Sequence, residues 1–432
     1  MKFRLAAASL AAALAASPAL AQTEIQWWHS MSGPLGEWVG DLAKQFNASQ
    51  SAYRVVPTYK GQYDESMTAA IAAFRAGNAP DILQVFEVGT ATMMASKGAI
   101  KPVGEVMTAG GAKFDPSVYI SAVAGYYTAP NGQMLSFPFN SSTTVFYYNK
   151  DAFKAAGLDP EKAPTTWPEV FAAADKLKAG GHKCPFTTSW TQLESFSAWH
   201  NTLFASHNNG FGGTAARLAF NSPLHVRHFE NLAKMAKNGT FVYKGRNNAA
   251  DAAFPSGECA MMTGSSGLYA RVAKDAKFKY GISTLPYYPD VKGAPPITVF
   301  CGASLWVMAG KSPEKYKGVA RFFDFLSDTK VQSESHRRTG YLPITTGAFK
   351  LTDASGFYKD KPGTDVAVTQ MIRKTTDKSR GIRLGNFVQI RTIVDEETEQ
   401  IWAGKRSAKE ALDAAVKRGN EQLARFQKAN RN

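Results

Sequence analysis

Cysteine is scarce in this chain, with three among 432 residues, and Cys184, Cys259 and Cys301 stand far apart. No CxxC pair occurs, which excludes zinc-ribbon and thioredoxin-like chemistry. Histidine is scarce as well, at seven residues. There is no HExxH, and the nearest pair, His225 and His228, is expected on the exposed face of a polar helix and not as metal ligands. A GxSxG nucleophile elbow is missing, since "TGSSGLY" sets adjacent serines between its glycines. "GFGGTA" from Gly210 follows "SHNN" and no strand, so a glycine-rich loop is expected there in place of a dinucleotide fingerprint. "AGKS", Ala309 to Ser312, has Leu305 where a Walker A loop needs glycine. Asp395, Glu396 and Glu397 are consecutive carboxylates, but neighbours on a helix diverge, and they are expected mostly in solvent. No metal, cofactor or nucleophile–base pair is implied, so a secreted phosphodiesterase or other hydrolase has no visible machinery.

Acidic residues are the minority, 35 against 50 basic ones, for a formal charge of +15. Such a balance favours acidic partners: nucleic acid, anionic lipid or a phosphorylated solute. The basic residues are scattered, however. Their densest group, "KRSAKEALDAAVKRGNEQLARFQKANRN", alternates with Ala and Leu at helical spacing and reads as the solvated face of a closing helix, not a nucleic-acid patch.

Long apolar runs are confined to the beginning. Lys2 and Arg4 precede an uncharged stretch from Leu5 to Ala16, and Ala19-Leu20-Ala21 is a small-residue cleavage pattern. Residues 1–21 therefore read as a secretory signal peptide, with the mature chain starting near Gln22. The later uncharged run, Gly293 to Gly310, is broken by Pro295, Pro296 and Gly302 and reads as core strand and turn. Export sets an oxidising compartment, where a Cys184–Cys259 bridge with Cys301 buried and free is one expectation; spacing does not choose the pairing.

What remains is too long for one ordinary core, so two or more lobes are expected. "EIQWWHS", "YRVVPTYKG" and "APDILQVF" read as strands, separated by helices through "GPLGEWVGDLAKQFNA" and "DESMTAAIAAFRAG". That alternation signals an α/β lobe with a parallel sheet, whose ligand loops would be "HSMSGPLG", "YKGQYDES" and "FEVGTA". A second lobe begins after "MLSFPFNSSTTVFYYNKDAF". "PTTWPEVFAAADKLKAGG" is a helix capped by Thr166, "GASLWVMAG" is a buried strand, and "PEKYKGVARFFDFLSD" turns Val319, Phe322, Phe323 and Leu326 to the core.

One position breaks the pattern. In "GIRLGNFVQIRTIVDEE", Asn386 is the expected N-cap of a helix from Phe387, and Phe387, Ile390, Val394 and Ile401 share its apolar face. Arg391 falls inside that arc. A buried guanidinium requires an anion, either Asp395 one turn on or a ligand.

Several segments together resemble the periplasmic glycerol-3-phosphate-binding proteins of ABC transporters, within the extracellular solute-binding proteins of family 1. They are "IQWWHSMSGPLGEWVGDLAKQFN", "YKGQYDES", "FEVGTATMMAS", "PFNSSTTVFYYNKDAFKAAGLDP", "GASLWVMAGK", "TGYLPIT" and "LGNFVQIRTIVDEE", in order from about Glu24 onward. "NKDAFKAAGLDP" alone is common to the wider family, whereas "YKGQYDES", "FEVGTATMMAS" and "TGYLPIT" are narrower. Cys301 and the short "TTSWTQLESF" around Trp190 depart from the family pattern.

The resemblance implies an α/β two-lobe periplasmic binding-protein fold of the maltose-binding type, with a hinge and an interlobe cleft. It divides the chain into residues 22–138 plus about 296–330 for one lobe and 139–295 plus about 331–432 for the other. It implies capture of glycerol 3-phosphate or a glycerophosphodiester such as glycerophosphocholine in the periplasm, by a monomer that docks on permease subunits served by an ATPase. No nucleic acid, metal or cofactor is implied. By the same resemblance Arg391 anchors phosphate, and Tyr63, Ser142, Ser265, Gly302 and Tyr341 line the site. Glu87 would accept from glycerol hydroxyls and Trp167 would wall the glycerol carbons. A one-residue shift exchanges Ser265 with Ser266 and Ser142 with Ser141, and a sugar or oligosaccharide receptor of the same fold is the alternative.

Overall fold

The computed structural model describes residues 22–96, 98–295, 298–299, 301–372 and 376–430. The signal-peptide reading of residues 1–21 lies outside them. The described strands are β1 (Thr23–His29), β2 (Tyr53–Tyr59), β3 (Ile82–Phe86), β4 (Ile100–Lys101), β5 (Phe137–Ser142), β6 (Thr144–Asn149), β7 (Phe186–Thr188), β8 (Met261–Ser265), β9 (Tyr280–Ser283) and β10 (Cys301–Met308). They form two sheets. The first runs β2-β1-β3-β10-β4, with β5 also on β10, and the second runs β7-β8-β6-β9. β1 is parallel to β2 and β3, while β10 is antiparallel to β3, β4 and β5.

The first lobe follows from alternation of strand and amphipathic helix. Helix Gly33–Ser49 turns Trp38, Val39, Leu42, Ala43 and Phe46 inward, and helix Pro313–Ser327 covers the sheet with Val319, Phe322, Phe323 and Leu326. Trp27 of β1 is held between Phe139 and Phe322, with ring centroids 5.4 and 5.3 Å away. Each such burial removes apolar area worth about 1.5–3 kcal/mol.

Between the sheets the chain crosses at a single residue, Thr143, since β5 ends at Ser142 and β6 begins at Thr144. It returns between Ser283 and Cys301. Two α/β lobes with more than one crossover are therefore present, as the strand pattern requires. Beyond residue 330 the packing is divided. Helix Thr329–Thr339 lies on the first lobe, where the Trp38 indole donates to Ser335 Oγ at 3.0 Å, and Thr345 bridges Tyr119. Helices Phe387–Trp402 and Ala408–Ala429 instead pack on each other and on helix Pro223–Asn238 of the second lobe. The boundary expected near residue 330 falls inside helix Thr329–Thr339, which packs on the first lobe.

Three local expectations are corrected. Asn386 does precede the helix at Phe387, but at φ 50° it is left-handed and its amide donates to the Gln422 carbonyl at 3.1 Å, so it makes no cap bond. His225 and His228 are buried, not exposed, because their helix presses that face on Phe196, Trp167 and Tyr288. Burial pushes His225 down to about 3, which keeps the ring neutral. Glu397 is also buried, between Arg406 and Arg418, at 2.5 and 2.7 Å.

Cys184 and Cys259 are bridged across 75 residues of chain, and Cys301 is a free, partly buried thiol. Denatured, unreduced protein should thus give one reactive thiol; three would refute the bridge. Replacing Cys184 and Cys259 by serine should lower the unfolding free energy by about 4 kcal/mol, read from the urea midpoint, since the bridge closes a long loop.

Candidate functional site

The strand pairings bring distant residues into one row. Glu87 follows β3, and its carboxylate accepts from the Gly302 amide at 3.0 Å, beside the Phe86–Ala303 pair of β3 and β10. Across β10, Cys301 pairs with Ser142 at the end of β5, and past the crossing Thr144 pairs with Ser265 at the end of β8. Gly302 is the position where the backbone leaves no alternative: φ is +109° and an added Cβ would meet the Asn140 carbonyl at 2.0 Å. Tyr63 opens helix Tyr63–Arg75, stacks on Phe86 at 5.0 Å and accepts from the Asn140 amide at 2.9 Å. Tyr341, after helix Thr329–Thr339, points its hydroxyl to Met31 Sδ at 3.5 Å.

Together with Arg391, these seven expected positions (Tyr63, Glu87, Ser142, Ser265, Gly302, Tyr341 and Arg391) line one cavity that both lobes enclose, of which about 140 Å³ is open to the centres of water molecules. Of the ambiguous serines, Ser265 and Ser142 line the cavity, and the buried Ser266 and Ser141 do not.

Trp167 is not brought to the cavity. It is the first residue of helix Trp167–Ala179, whose start is fixed by the reciprocal bonds of Thr166 and Glu169. Only 4% exposed, it packs on His228 at 4.5 Å and on Phe171 and Phe186, so the helix's docking on the second lobe consumes the indole. A different tryptophan lines the cavity, Trp190, whose ring centroid lies 5.3 Å from the Arg391 guanidinium carbon. Trp190 belongs to "TTSWTQLESF", the segment that departs from the family pattern, so no motif could carry it over. Its loop holds two non-glycine residues in the left-handed region, Trp190 at φ 62° and Gln192 at φ 57°. Side chains hold them there: Thr191 donates to Asp395 at 2.6 Å and Thr144 to Gln192 Oε1 at 2.6 Å. The same loop leads into helix Leu193–Trp199, whose second residue is Glu194.

Arg391 has found its anions within the protein, and Asp395 is not one of them. Nη2 donates to Glu87 Oε1 at 2.6 Å and Nε to Glu194 Oε1 at 2.7 Å, with the arginine side chain 19% exposed. Burial alone would lower its pKa, yet Glu194 and Glu87 together hold it above the ordinary arginine value. Glu87 comes from the first lobe and Glu194 from the second, so the guanidinium ties the lobes across the cleft. Two carboxylates around one guanidinium leave no uncompensated cation here; they present donors and acceptors side by side, the arrangement that suits vicinal hydroxyls. Asp395 and Asp251 also line the cavity, and burial pushes each carboxyl up to about 6. Among the described residues no group of three or more His, Cys, Asp or Glu could hold a metal ion.

Asp251 yields a pH prediction. Its folded pKa lies above the free carboxylate value, so the folded state binds the extra proton between about 4 and 6, and the group weighs against folding above that window. Asp251→Asn keeps the acceptor for Ser189, which donates at 2.5 Å. It should therefore raise the unfolding free energy by about 1–3 kcal/mol near pH 8 and leave it little changed near pH 4. Equal effects at both pH values would show that the carboxyl does not titrate in this way.

Comparison with known proteins gives the family and the fold. A family model described as bacterial extracellular solute-binding protein matches residues 41–365. The chain is 54% identical over 418 residues to the sn-glycerol-3-phosphate-binding periplasmic protein UgpB of Salmonella paratyphi A, covering 96% of this chain and 95% of that one. It is 52% identical over 434 residues to the protein of that name from Escherichia coli O6:K15:H31, covering 99% of each. Among solved structures, UgpB from Mycobacterium tuberculosis in complex with glycerophosphocholine superposes with a TM-score of 0.77 at 22% identity, over 94% of this chain and 99% of that one. Maltose-bound MalE3 of T. maritima superposes at 0.72 with 17% identity, over 92% and 98%. These superpositions fix the fold as the two-lobe, maltose-binding type. The chain belongs to the bacterial extracellular solute-binding protein family, alongside the sn-glycerol-3-phosphate-binding periplasmic proteins.

Proposed function

We propose that this chain is the substrate-binding component of an ABC importer, capturing sn-glycerol 3-phosphate or a glycerophosphodiester in the periplasm and delivering it to membrane permease subunits. The observation that carries this is the meeting of Tyr63, Glu87, Ser142, Ser265, Gly302, Tyr341 and Arg391 around one interlobe cavity. Relatives more than half identical over nearly the whole chain, named for sn-glycerol 3-phosphate, support the ligand. The solved relative that holds glycerophosphocholine supports the wider class.

The roles follow from the charges. A phosphate at Arg391 would stand against Glu87 and Glu194, and a like-charge pair at about 4 Å is unfavourable by roughly 4 kcal/mol at an effective dielectric of 20. Arg391 therefore serves the glycerol end together with the two glutamates, donating to hydroxyl oxygens while Glu87 and Glu194 accept hydroxyl protons. Trp190 gives the glycerol carbons a flat wall. The hydroxyls of Ser142, Ser265, Tyr63 and Tyr341 donate to phosphate oxygens; burial raises the tyrosine pKa values, so both phenols keep their protons. The receptor acts as a monomer. Both lobes supply ligand contacts, so ligand shifts the population towards the closed form that docks on the permease, whose ATPase drives release. Nothing in this scheme breaks a bond in the ligand, which should come back unchanged after long incubation. A sugar receptor of the same fold is the second reading, favoured by the carboxylate-rich polyol end.

Calorimetric titration of the mature protein should give tight one-to-one binding of glycerol 3-phosphate and none of maltose; the reverse would establish the sugar reading. Arg391→Lys keeps the charge but loses the two-pronged donor, and should weaken glycerol 3-phosphate binding by about 10–100-fold. Unchanged affinity in that variant would remove Arg391 from the site.

A further inference from the structure

The cavity has a second arginine, and its setting differs from that of Arg391. Arg271 lies on helix Tyr269–Asp275, lines the cavity and forms no ion pair among the described residues. Its facing carboxylate, Asp251, is engaged by the Ser189 hydroxyl. The guanidinium sits over the first residue of helix Gly33–Ser49: a Cβ on Gly33 would lie 3.2 Å from Arg271 Nη2. That is the positive end of a 17-residue helix, with no acidic residue in its first turn and no capping bond from Ser32. The two positive features face each other, with the Asp251 carboxylate near enough for Arg271 to hold its pKa down but forming no ion pair with it among the described residues. Just before the helix, Ser30 also lines the cavity, is 7% exposed and keeps a buried hydroxyl without a partner among the described residues.

The phosphate-binding hydroxyls lie on this side. Ser265 precedes the turn and helix that bear Arg271, the Tyr341 ring rests on Gly267 between them, and the Tyr341 hydroxyl meets Met31, next to Ser30. We propose that Arg271, Ser30 and the open N-terminus of helix Gly33–Ser49 form the anion end of the cavity, and that Arg271 makes the receptor prefer a terminal phosphomonoester to a phosphodiester with a cationic headgroup. A monoester brings up to two negative charges to the arginine and the helix end. A diester brings one, and a choline ammonium beyond it would face the guanidinium and the positive helix end. This rests on the receptor reading for glycerol 3-phosphate.

Wild type and Arg271→Gln are to be titrated with glycerol 3-phosphate and with glycerophosphocholine, folding being checked by circular dichroism. Wild type should favour the monoester, and the variant should lose about tenfold or more for it while changing by less than about threefold for the diester. Equal losses for both ligands, or none for the monoester, would overturn the assignment. Arg271→Lys, which keeps the charge, should retain much of the preference, and Ser30→Ala should weaken the monoester by about threefold. Inorganic phosphate probes the anion end without the glycerol. At millimolar concentration it should raise the Tm of wild type and not that of Arg271→Gln. If it does so while glycerol 3-phosphate fails to bind, the receptor reading falls and the anion end stands; a Tm shift equal in both proteins, or in neither, overturns the anion end.

Discussion

A partly buried guanidinium in an apolar helix face organises this protein's cleft. Arg391 projects from the side of helix Phe387–Trp402 that also carries Phe387, Ile390 and Val394, all buried. An unpaired charge there would cost several kcal/mol, so the fold has to bring carboxylates to it. Glu87 arrives from 304 residues away and Glu194 from 197. Each of them is placed by something else: Glu87 by the β3–β10 pairing and the Gly302 amide, Glu194 by a loop that bends through left-handed Trp190 and Gln192. The conformations of β10, of that loop and of the closing helix therefore depend on one charge being matched.

The matching is possible because of where the chain crosses. β5 and β6 are almost continuous, one in each sheet, and β10 lies against the end of β5. Any residue at the end of β3, β5 or β8, or at the start of β10, consequently opens into the space between the lobes. Ligand groups at strand ends of α/β sheets are a general outcome of this topology. Here it places Glu87, Gly302, Ser142 and Ser265 in succession, and leaves the helices to contribute Tyr63, Arg391 and Arg271.

Much of this was legible in the sequence. Periodicity located the strands and helices of the first lobe and the buried faces of helices Pro313–Ser327 and Phe387–Trp402, because those elements bury a single clean stripe. Narrow motifs located seven cavity residues. Trp167 misled because a tryptophan behind a capped helix start serves packing and ligand walls equally well, and only tertiary contacts distinguish them. Trp190 and Glu194 were hidden for the opposite reason: the loop that carries Trp190 and leads into helix Leu193–Trp199, which carries Glu194, is unlike the family's, and its backbone is set by bonds to Asp395 and Thr144 that no local pattern announces. His225 and His228 looked exposed on a polar helix, yet neutral imidazoles pack like aromatics when hydroxyls satisfy their nitrogens, as Ser197 and Ser222 do for His225. The need of Arg391 for an anion was legible; which anion was not, since Asp395 at one turn's distance is the partner that local geometry suggests.

The identity of those partners bears on how ligand and closure are coupled. The Glu87–Arg391 bond joins a residue of each lobe, so bringing the lobes together makes a favourable contact within the protein itself. A ligand shifts the population only by what it adds beyond that contact. A hydroxyl placed between Arg391 and the two glutamates adds bonds without separating the charges, because it accepts from the guanidinium and donates to a carboxylate at once. A phosphate in the same place would have to displace a carboxylate to reach the guanidinium, exchanging one ion pair for another and gaining little. The proposed orientation puts the polyol at the ion cluster and the anion at the Arg271 end, where no ion pair is formed among the described residues. Orientation in this cleft is then a consequence of which arginine the protein has already neutralised.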